Sequence, residues 1–279
     1  MNHFFNKNFL YDSHIPLGDG GFNGGSLSIT FLGTGTSSGV PMVGCTCHVC
    51  TSPHQEDNRL RSSILVRSGT TTLLVDATPD FRQQMLREKV MRLDAVLITH
   101  PHKDHVGGLD DTRAYQYFQN APTQVYGNAM TLEGVKAELP YAFTEFTYPG
   151  VPVIDLHQID LTPFIVGDIP IVPILVWHHK MPVYGFRFGN FVYITDANRI
   201  DEEERQKIRG CHTLVLNALR HERHISHFTL QEALEVALDV DASQTFFTHI
   251  SHQLGRHGEV NAALPNGIRL AYDGLKLLF

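Results

Sequence analysis

Short runs of apolar and β-branched residues, bounded by Gly, Pro or Asp, follow one another along most of the chain. Such runs are typical of strands that pack one or both faces into a core. The predicted strands are Leu27–Leu32, Ser62–Arg67, Thr71–Asp76, Asp94–Thr99, Gln124–Tyr126, Ile171–Val176, Val183–Phe188, Phe191–Thr195, Thr213–Asn217, Gln244–Thr248 and Ile268–Tyr272. Gly189 and Asn190, which separate two of these runs, predict a two-residue hairpin turn.

Helical periodicity is confined to a few segments between the strands. Thr229 and Glu232 form a capping-box pattern in front of a run that places its apolar residues on one helical face. Asp201–Arg209 begins with acidic residues and ends with basic ones before a glycine, as the helix dipole favours. Phe81–Lys89 and Asp110–Asn120 are also predicted to be helical. Single helices between strands predict a mixed sheet, or two sheets, with helices outside.

The domain organisation follows from the glycine distribution and the overall hydrophobicity. Residues 17–25 contain too many glycines to hold a regular element, so residues 1–25 are predicted to form a flexible arm. The chain has 279 residues, of which 42% are hydrophobic, enough for a sizeable core. Residues 26–279 are therefore predicted to form a single domain.

Charge and cysteine usage exclude several classes of protein. The net charge of −7 argues against a general nucleic-acid binder, whose affinity depends on basic phosphate contacts. No apolar run approaches the roughly 20 residues that span a bilayer. Three of the four cysteines lie within six positions, unlike a secreted disulfide framework. We expect a cytoplasmic protein without a membrane partner.

Seventeen histidines point to metal chemistry, because histidine is the commonest metal ligand. An apolar strand leads directly into His100-Pro-His102-Lys-Asp104-His105. His100 and His102 are two residues apart and therefore face the same side of an extended backbone. Asp104 and His105 follow where the chain must turn, so their side chains can bind a metal at a second position. Two metals about 3.5–4 Å apart would suit such a divided set of ligands.

Three later strands also end on a residue that can bind metal. His178, Asp196 and His249 each follow an apolar run. A mononuclear site needs only three or four ligands, so these additional residues favour two metals. The residues alone leave His179 open as the alternative to His178.

A second cluster of metal-binding residues lies near the beginning of the predicted domain. It contains Cys45, Cys47 and Cys50. Thiolates at this density indicate zinc, and a redox pair of Cys47 with Cys50 is disfavoured because no thioredoxin-like βαβ pattern surrounds it. The fourth ligand stays open among His48, His54 and His252. Cys211 is interpreted as an ordinary buried thiol.

These motifs resemble the metallo-β-lactamase superfamily. Gly33–Gly39, Gly107–Asp111 and Thr248–His252 resemble more closely the branch that holds ribonuclease Z and the cyclic phosphodiesterase of the carbon–phosphorus lyase pathway, of the phosphoribosyl cyclic phosphate type. The resemblance extends over residues 26–279. It implies a four-layer αββα sandwich of the α/β class, with a dinuclear metal site at one edge of the paired sheets.

The resemblance also implies roles for individual residues. One metal would be bound by His100, His102 and His178, and the other by Asp104, His105 and His249. Asp196 would bridge the two metals. Asp76 corresponds to an aspartate that orients a ligand imidazole, and His227 to a histidine that faces the leaving group.

The cysteine cluster discriminates between members of this branch. The phosphodiesterases bind a structural zinc with three such cysteines and the second histidine of His-Ile-Ser-His, which is His252 here. Ribonuclease Z lacks these cysteines. Because His249 and His252 are three residues apart, the zinc would restrain the loop that carries a ligand of the other centre.

The expected function is metal-dependent hydrolysis of a small phosphodiester, cyclic esters included, by a hydroxide that bridges two metals. The expected catalytic residues are His227, Asp104 and Asp76. Manganese is expected at the active site, with zinc as the other option, beside one structural zinc. The expected partners are a small-molecule substrate and a second copy of the chain. Phosphate or sugar contacts could come from Lys180, Arg187, Arg220, His221 and His224.

Three alternatives remain beside this function. A ribonuclease Z-like tRNA 3′ endonuclease needs a basic arm that this sequence does not show, and the net charge of −7 disfavours binding of tRNA, a polyanion. Hydrolysis of a thioester or lactam is supported by the same pair of metals elsewhere in the superfamily. A non-catalytic binding protein of cofactor biosynthesis is disfavoured because the His100–His105 motif is intact.

Overall fold

The computed structural model of the chain describes residues 26–144 and 150–279. The predicted arm of residues 1–25 lies outside the described residues. None of the helices in the described part of the chain is long and apolar enough to cross a membrane.

The strands form two seven-stranded mixed sheets. The first sheet contains β1 (Ser28–Gly33), β2 (Ser63–Arg67), β3 (Thr72–Val75), β4 (Ala95–Leu97), β5 (Thr123–Gly127), β6 (Ile154–Gln158) and the last strand, β14 (Lys276–Leu278). The second contains β7 (Phe164–Val166), β8 (Ile169–His178), β9 (Met181–Phe188), β10 (Phe191–Tyr193), β11 (Thr213–Asn217), β12 (Gln244–Thr248) and β13 (Ile268–Leu270). The spatial orders are β14-β1-β2-β3-β4-β5-β6 and β13-β12-β11-β10-β9-β8-β7.

Each sheet has one parallel and one antiparallel half. Strands β3 to β6 are parallel to one another, as are β10 to β13. The predicted hairpin turn is confirmed, because Phe188 of β9 pairs with Phe191 of β10 across Gly189 and Asn190. The parallel halves matter for function, because the carboxyl ends of parallel strands lie at one edge of a sheet.

Seven α-helices connect the strands of the described chain. They are α1 (Phe81–Arg87), α2 (Lys103–Val106), α3 (Arg113–Gln119), α4 (Ala129–Glu138), α5 (Glu202–Ile208), α6 (Leu230–Val240) and α7 (His257–Ala263). The capping box is confirmed at the start of α6, where Thr229 and Glu232 exchange side-chain and main-chain hydrogen bonds. The prediction of one helix over Asp110–Asn120 is wrong in its first part, since a 3₁₀ turn over Leu109–Thr112 precedes α3.

Three apolar clusters hold the layers together. Phe31 of the first sheet and Phe186 of the second belong to the cluster between the sheets. A second cluster joins Phe81 of α1 and Val135 of α4 to the outer face of the first sheet. The third joins Val236 of α6 to the second sheet. The order helix, sheet, sheet, helix confirms the predicted four-layer α/β sandwich.

Candidate metal centre

The predicted ligands converge where strands of both sheets end. Asp76 follows β3, Asp196 lies shortly after β10, and His249 follows β12. All three adopt positive φ angles, 65°, 54° and 55° respectively, so the chain turns sharply as each strand ends. His100 lies beyond the end of β4, and His178 is the last residue of β8.

A short helical turn separates the two pairs of ligands in the histidine motif. His102 is the N-cap of α2, and its carbonyl accepts the main-chain N–H of His105 at 2.9 Å. The turn brings Nε2 of His105 to 3.2 Å from Oδ2 of Asp104. On the strand side, Nε2 of His100 and Nδ1 of His102 are 3.1 Å apart. The motif thus directs two groups of donors into one centre.

Asp76 orients His105 from the buried side of the centre. Its Oδ2 accepts a hydrogen bond from Nδ1 of His105 at 2.7 Å. Thr99 holds the same carboxylate through its main-chain N–H at 2.8 Å and its hydroxyl at 2.9 Å. His105 therefore presents Nε2 to the centre, where this buried nitrogen finds no hydrogen-bond partner among the described residues.

Asp196 lies at the middle of the centre. Its Oδ1 is 3.0 Å from Nδ1 of His249 and 3.5 Å from Nε2 of His105, and its Oδ2 is 3.8 Å from Nε2 of His100. Asp196 belongs to three groups of potential metal ligands. Within each group the ligand atoms lie within 4.8 Å of one another. The groups are His100 with His105 and Asp196, His178 with Asp196 and His227, and Asp104 with Asp196 and His249.

The electrostatics of the centre suit bound cations. Burial opposes the charged form of His105, yet the carboxylates of Asp76, Asp196 and Asp104 raise its pKa well above the usual value. Burial lowers the pKa of three other imidazoles, His100, His178 and His249. The same carboxylates would stabilise a cation that takes the place of the proton on Nε2 of His105. Neutral imidazoles and carboxylates are ligands for divalent transition metals. The residues present therefore fit a metal centre.

Of the two neighbouring histidines, His178 lies beside the other proposed ligands of the centre and His179 does not. Nδ1 of His178 donates to the carbonyl of Ser226 at 2.9 Å, which leaves Nε2 for the centre. Its ring centroid is 5.1 Å from that of His102. His179 lies in the exposed turn between β8 and β9, with φ of 59°.

His227 closes the outer side of the centre. Its ring stacks on His249 with 4.8 Å between centroids and lies 4.5 Å from His178. Burial lowers its pKa to about 2, so the imidazole is neutral at ordinary pH. Its Nδ1 is buried without a hydrogen-bond partner in the described part of the chain. A neutral imidazole still offers one N–H donor and one acceptor.

Asn198 connects the two segments that carry His178 and His227. Its Oδ1 accepts the main-chain N–H of His179 at 2.9 Å, and its Nδ2 donates to the carbonyl of Ile225 at 3.0 Å. One carboxamide therefore braces both segments. Nothing in the residue pattern marked Asn198, because a lone asparagine two residues after a ligand carries no distinctive signal.

The predicted zinc ligands lie together about a second point. Nδ1 of His252 is 3.4 Å from Sγ of Cys45 and 3.3 Å from Sγ of Cys47. Cys50 completes a group of four donors that lie within 4.8 Å of one another. Hydrogen bonds, first from the main chain of Cys50 and then from His252, lower the pKa of Cys47 to about 6. Three thiols and one imidazole at this spacing fit zinc.

An open cleft of about 590 Å³ leads to the centre. Its lining residues are His102, Met130, His178, His179, Lys180, Met181, Ile225 and Ser226. Of the five predicted phosphate or sugar contacts, Lys180 lines this cleft.

The other predicted contacts have partners of their own. Arg187 is not placed to meet a ligand there, because its guanidinium donates to the carbonyls of Gly189, Lys207 and Arg209. Arg220 donates to Gln253 and to two carbonyls of its own loop. His221 donates to the carbonyl of Leu254. His224 lies 5.0 Å from His227 between ring centroids.

Comparison with known proteins agrees with the fold. The sequence model described as "Beta-lactamase superfamily domain" matches residues 71–250. A solved structure described as a new diphosphatase from the PhnP family is 39% identical, with a TM-score of 0.85 over 91% of this chain and 98% of that one. The short form of human tRNase Z has a TM-score of 0.62 at 20% identity, over 90% of this chain and 98% of that one. At this identity the likeness concerns the fold alone.

A curated relative is considerably longer than this chain. The octanoyltransferase of Porphyromonas gingivalis is 38% identical over 251 residues. The match covers 88% of this chain and 50% of the relative, so the chain spans half of that protein's length.

Proposed function

The chain belongs to the β-lactamase superfamily and is related to its PhnP family, and from this premise we propose that it is a dinuclear-metal hydrolase of small phosphodiesters, cyclic esters included. The observation that carries the proposal is the position of Asp196, whose carboxylate is shared by three groups of potential ligands. A carboxylate in that position would contribute to two cations, and paired cations are used for phosphoester hydrolysis.

The proposed ligands are divided between two cations. His100, His102 and His178 would hold one, and Asp104, His105 and His249 would hold the other, with Asp196 contributing to both. When bound, two divalent cations, manganese or zinc, supply Lewis acidity and an activated water. Asp76 keeps the hydrogen of His105 on Nδ1 and so keeps Nε2 available to the centre.

His227 is proposed to act on the leaving group. Its imidazole is neutral, lies beside His178 and His249, and has an unpartnered Nδ1. It can therefore donate a hydrogen bond to the departing oxygen without bringing a positive charge close to the cations. Asp104, 3.2 Å from His105, would contribute its carboxylate together with Asp196 and His249.

The proposal extends to the cysteine cluster and to the assembly. Cys45, Cys47, Cys50 and His252 would bind a structural zinc. We also propose a cytoplasmic homodimer that acts on a small molecule, which light scattering and cell fractionation would test.

Hydrolysis of bis(p-nitrophenyl) phosphate by manganese-loaded protein tests the function. We expect turnover by the wild type and by Asp155→Ala, an exposed carboxylate on β6, and none by Asp104→Ala. Absence of turnover by fully metallated wild type would contradict the proposal. An octanoyl thioester and a tRNA precursor, assayed in parallel, would then identify acyl or tRNA chemistry.

A further inference from the structure

We propose that the cleft beside the metal centre binds a substrate substituent that combines an aliphatic segment with a second anionic group. This inference rests on the proposed function, because it assigns a substrate class to the same site. His102 and His178 line the cleft and are also proposed metal ligands, so the cleft is continuous with the centre. An ester group of a phosphate held at the centre can therefore reach the cleft.

One wall of the cleft is aliphatic and open to solvent. Ile225 is 68% exposed and Met130 is 46% exposed, and Met181 is partly buried and packs against the core of the second sheet. Large apolar side chains left exposed around an active site mark a surface that gains from being covered. None of the lining residues is Phe, Tyr or Trp, and two of the three lining imidazoles, His102 and His178, belong to proposed metal ligands. Flexible methionines and an isoleucine instead suit an alkyl segment.

The positive charge of the cleft comes from Lys180. It is the sole lysine or arginine among the lining residues. Four other lysines pair with glutamates, Lys103, Lys136, Lys207 and Lys276. No ion pair is found for Lys180 within the part of the chain that the structure describes. Its ammonium therefore stays available for an anionic group of the ligand.

The turn that carries Lys180 is held in place. His179, immediately before it, adopts a φ of 59° and is bound to Asn198 through its main-chain N–H. His178 and Met181, on either side of the turn, are paired across β8 and β9. Because the turn is braced at both ends, the main chain at Lys180 keeps a defined position two residues from a proposed ligand.

Binding of three non-hydrolysable phosphonates to manganese-loaded protein, measured by calorimetry, tests the inference independently of turnover. The probes are methylphosphonate, hexylphosphonate and 6-phosphonohexanoate. We expect hexylphosphonate to bind about tenfold more tightly than methylphosphonate, because its chain covers the aliphatic wall. The carboxylate of 6-phosphonohexanoate should add a further gain of about fivefold through Lys180.

Two variants separate the contributions. Ile225→Ser should remove the preference for hexylphosphonate over methylphosphonate. Lys180→Met should remove the added gain of 6-phosphonohexanoate and leave hexylphosphonate binding unchanged. Met91→Ser, at a residue that is 83% exposed and does not line the cleft, is the matched control and should behave as the wild type.

Equal affinity for all three probes, unaltered by either variant, would overturn the inference. Failure of the proposed function is a separate result, because it would appear as absent hydrolysis of bis(p-nitrophenyl) phosphate whatever the order of phosphonate affinities.

Discussion

The carboxylate of Asp76 lies 2.7 Å from Nδ1 of His105, and both side chains are fully buried. Since Nδ1 must carry the hydrogen of this bond, Nε2 is the nitrogen left for the centre. The pair thus determines the tautomer and orientation of one proposed metal ligand.

Replacing Asp76→Asn should lower metal affinity or turnover by about 10- to 100-fold, because an amide orients and polarises the imidazole less strongly. Asparagine tolerates the φ of 65° at this position, so the backbone is preserved. Metal content and kcat are the measurements. Asp241→Asn, the same substitution at a φ of 52° on the exposed end of α6, is the control. Wild-type values in the Asp76 variant would show that the contact does not orient a ligand.

Asp196→Ala should reduce turnover by at least about 100-fold and lower the number of metal ions bound per chain, since one carboxylate serves both proposed cations. Elemental analysis and steady-state kinetics would measure both effects. Turnover at the wild-type rate in this variant would eliminate the dinuclear centre.

Asn198→Asp should retain the acceptor for the His179 N–H and lose the donor to the Ile225 carbonyl. The segment that carries His227 is then less well placed, so we expect a decrease in kcat that is about tenfold larger for a phenyl ester than for a p-nitrophenyl ester. A poor leaving group needs the proton donor more. An equal decrease in kcat for both esters would indicate that Asn198 has a structural role alone. Asn198→Ala should lose both hydrogen bonds of the carboxamide.

Cys47→Ala should release the structural zinc and lower Tm by roughly 5 °C or more, because the three remaining donors then lack their cation. Zinc content and a thermal melt are the readouts. Cys211→Ala is the matched control, since this cysteine is buried and does not belong to the group of four donors, and this variant should keep its zinc. Unchanged zinc content in Cys47→Ala would show that the cluster is misassigned.

His257 should make stability depend on pH. Burial, followed by the nearby Arg59 guanidinium, lowers its pKa to about 4 from 6.5. Arg59 donates to Nδ1 of His257 at 3.0 Å, which requires a neutral ring. On acidification the unfolded chain takes up this proton first, so stability falls between pH 6.5 and 4.

His257→Gln keeps an acceptor for Arg59 and removes the titration. Its free energy of unfolding should therefore fall less than that of the wild type over the same window, by up to roughly 2 kcal/mol. Denaturant unfolding at several pH values measures the difference. Parallel curves for the two proteins would remove His257 as the source.

The fold could be predicted where local pattern and tertiary environment agree. The central residues of β11 and β12 are buried and are apolar or β-branched, and the predicted bounds of both strands agree with those of the structure. Strand β14 could not be predicted, since three residues at an edge pair with Ser28–Thr30 from the other end of the chain. Helix α4 was missed because Gly134 interrupts its pattern, and that glycine packs where a Cβ would lie 2.2 Å from Pro101.

The candidate site was predictable for a different reason. Ligand types at strand ends leave a compositional signal, as His249 after β12 illustrates. Residues that act through main-chain contacts leave none. Asn198 and the carbonyl of Ser226 could be recognised only after the turn of His178 and the segment of His227 had been placed side by side.

The positive φ angles at Asp76, Asp196 and His249 restrict how this chain can evolve. Outside glycine, the left-handed region is tolerated best by asparagine, aspartate and histidine. A descendant released from catalysis could therefore exchange these residues freely only within that small set. In such a lineage we expect asparagine or glycine at the ends of these strands. Bulky or β-branched residues would lower the stability of the fold at these φ angles and would be selected against.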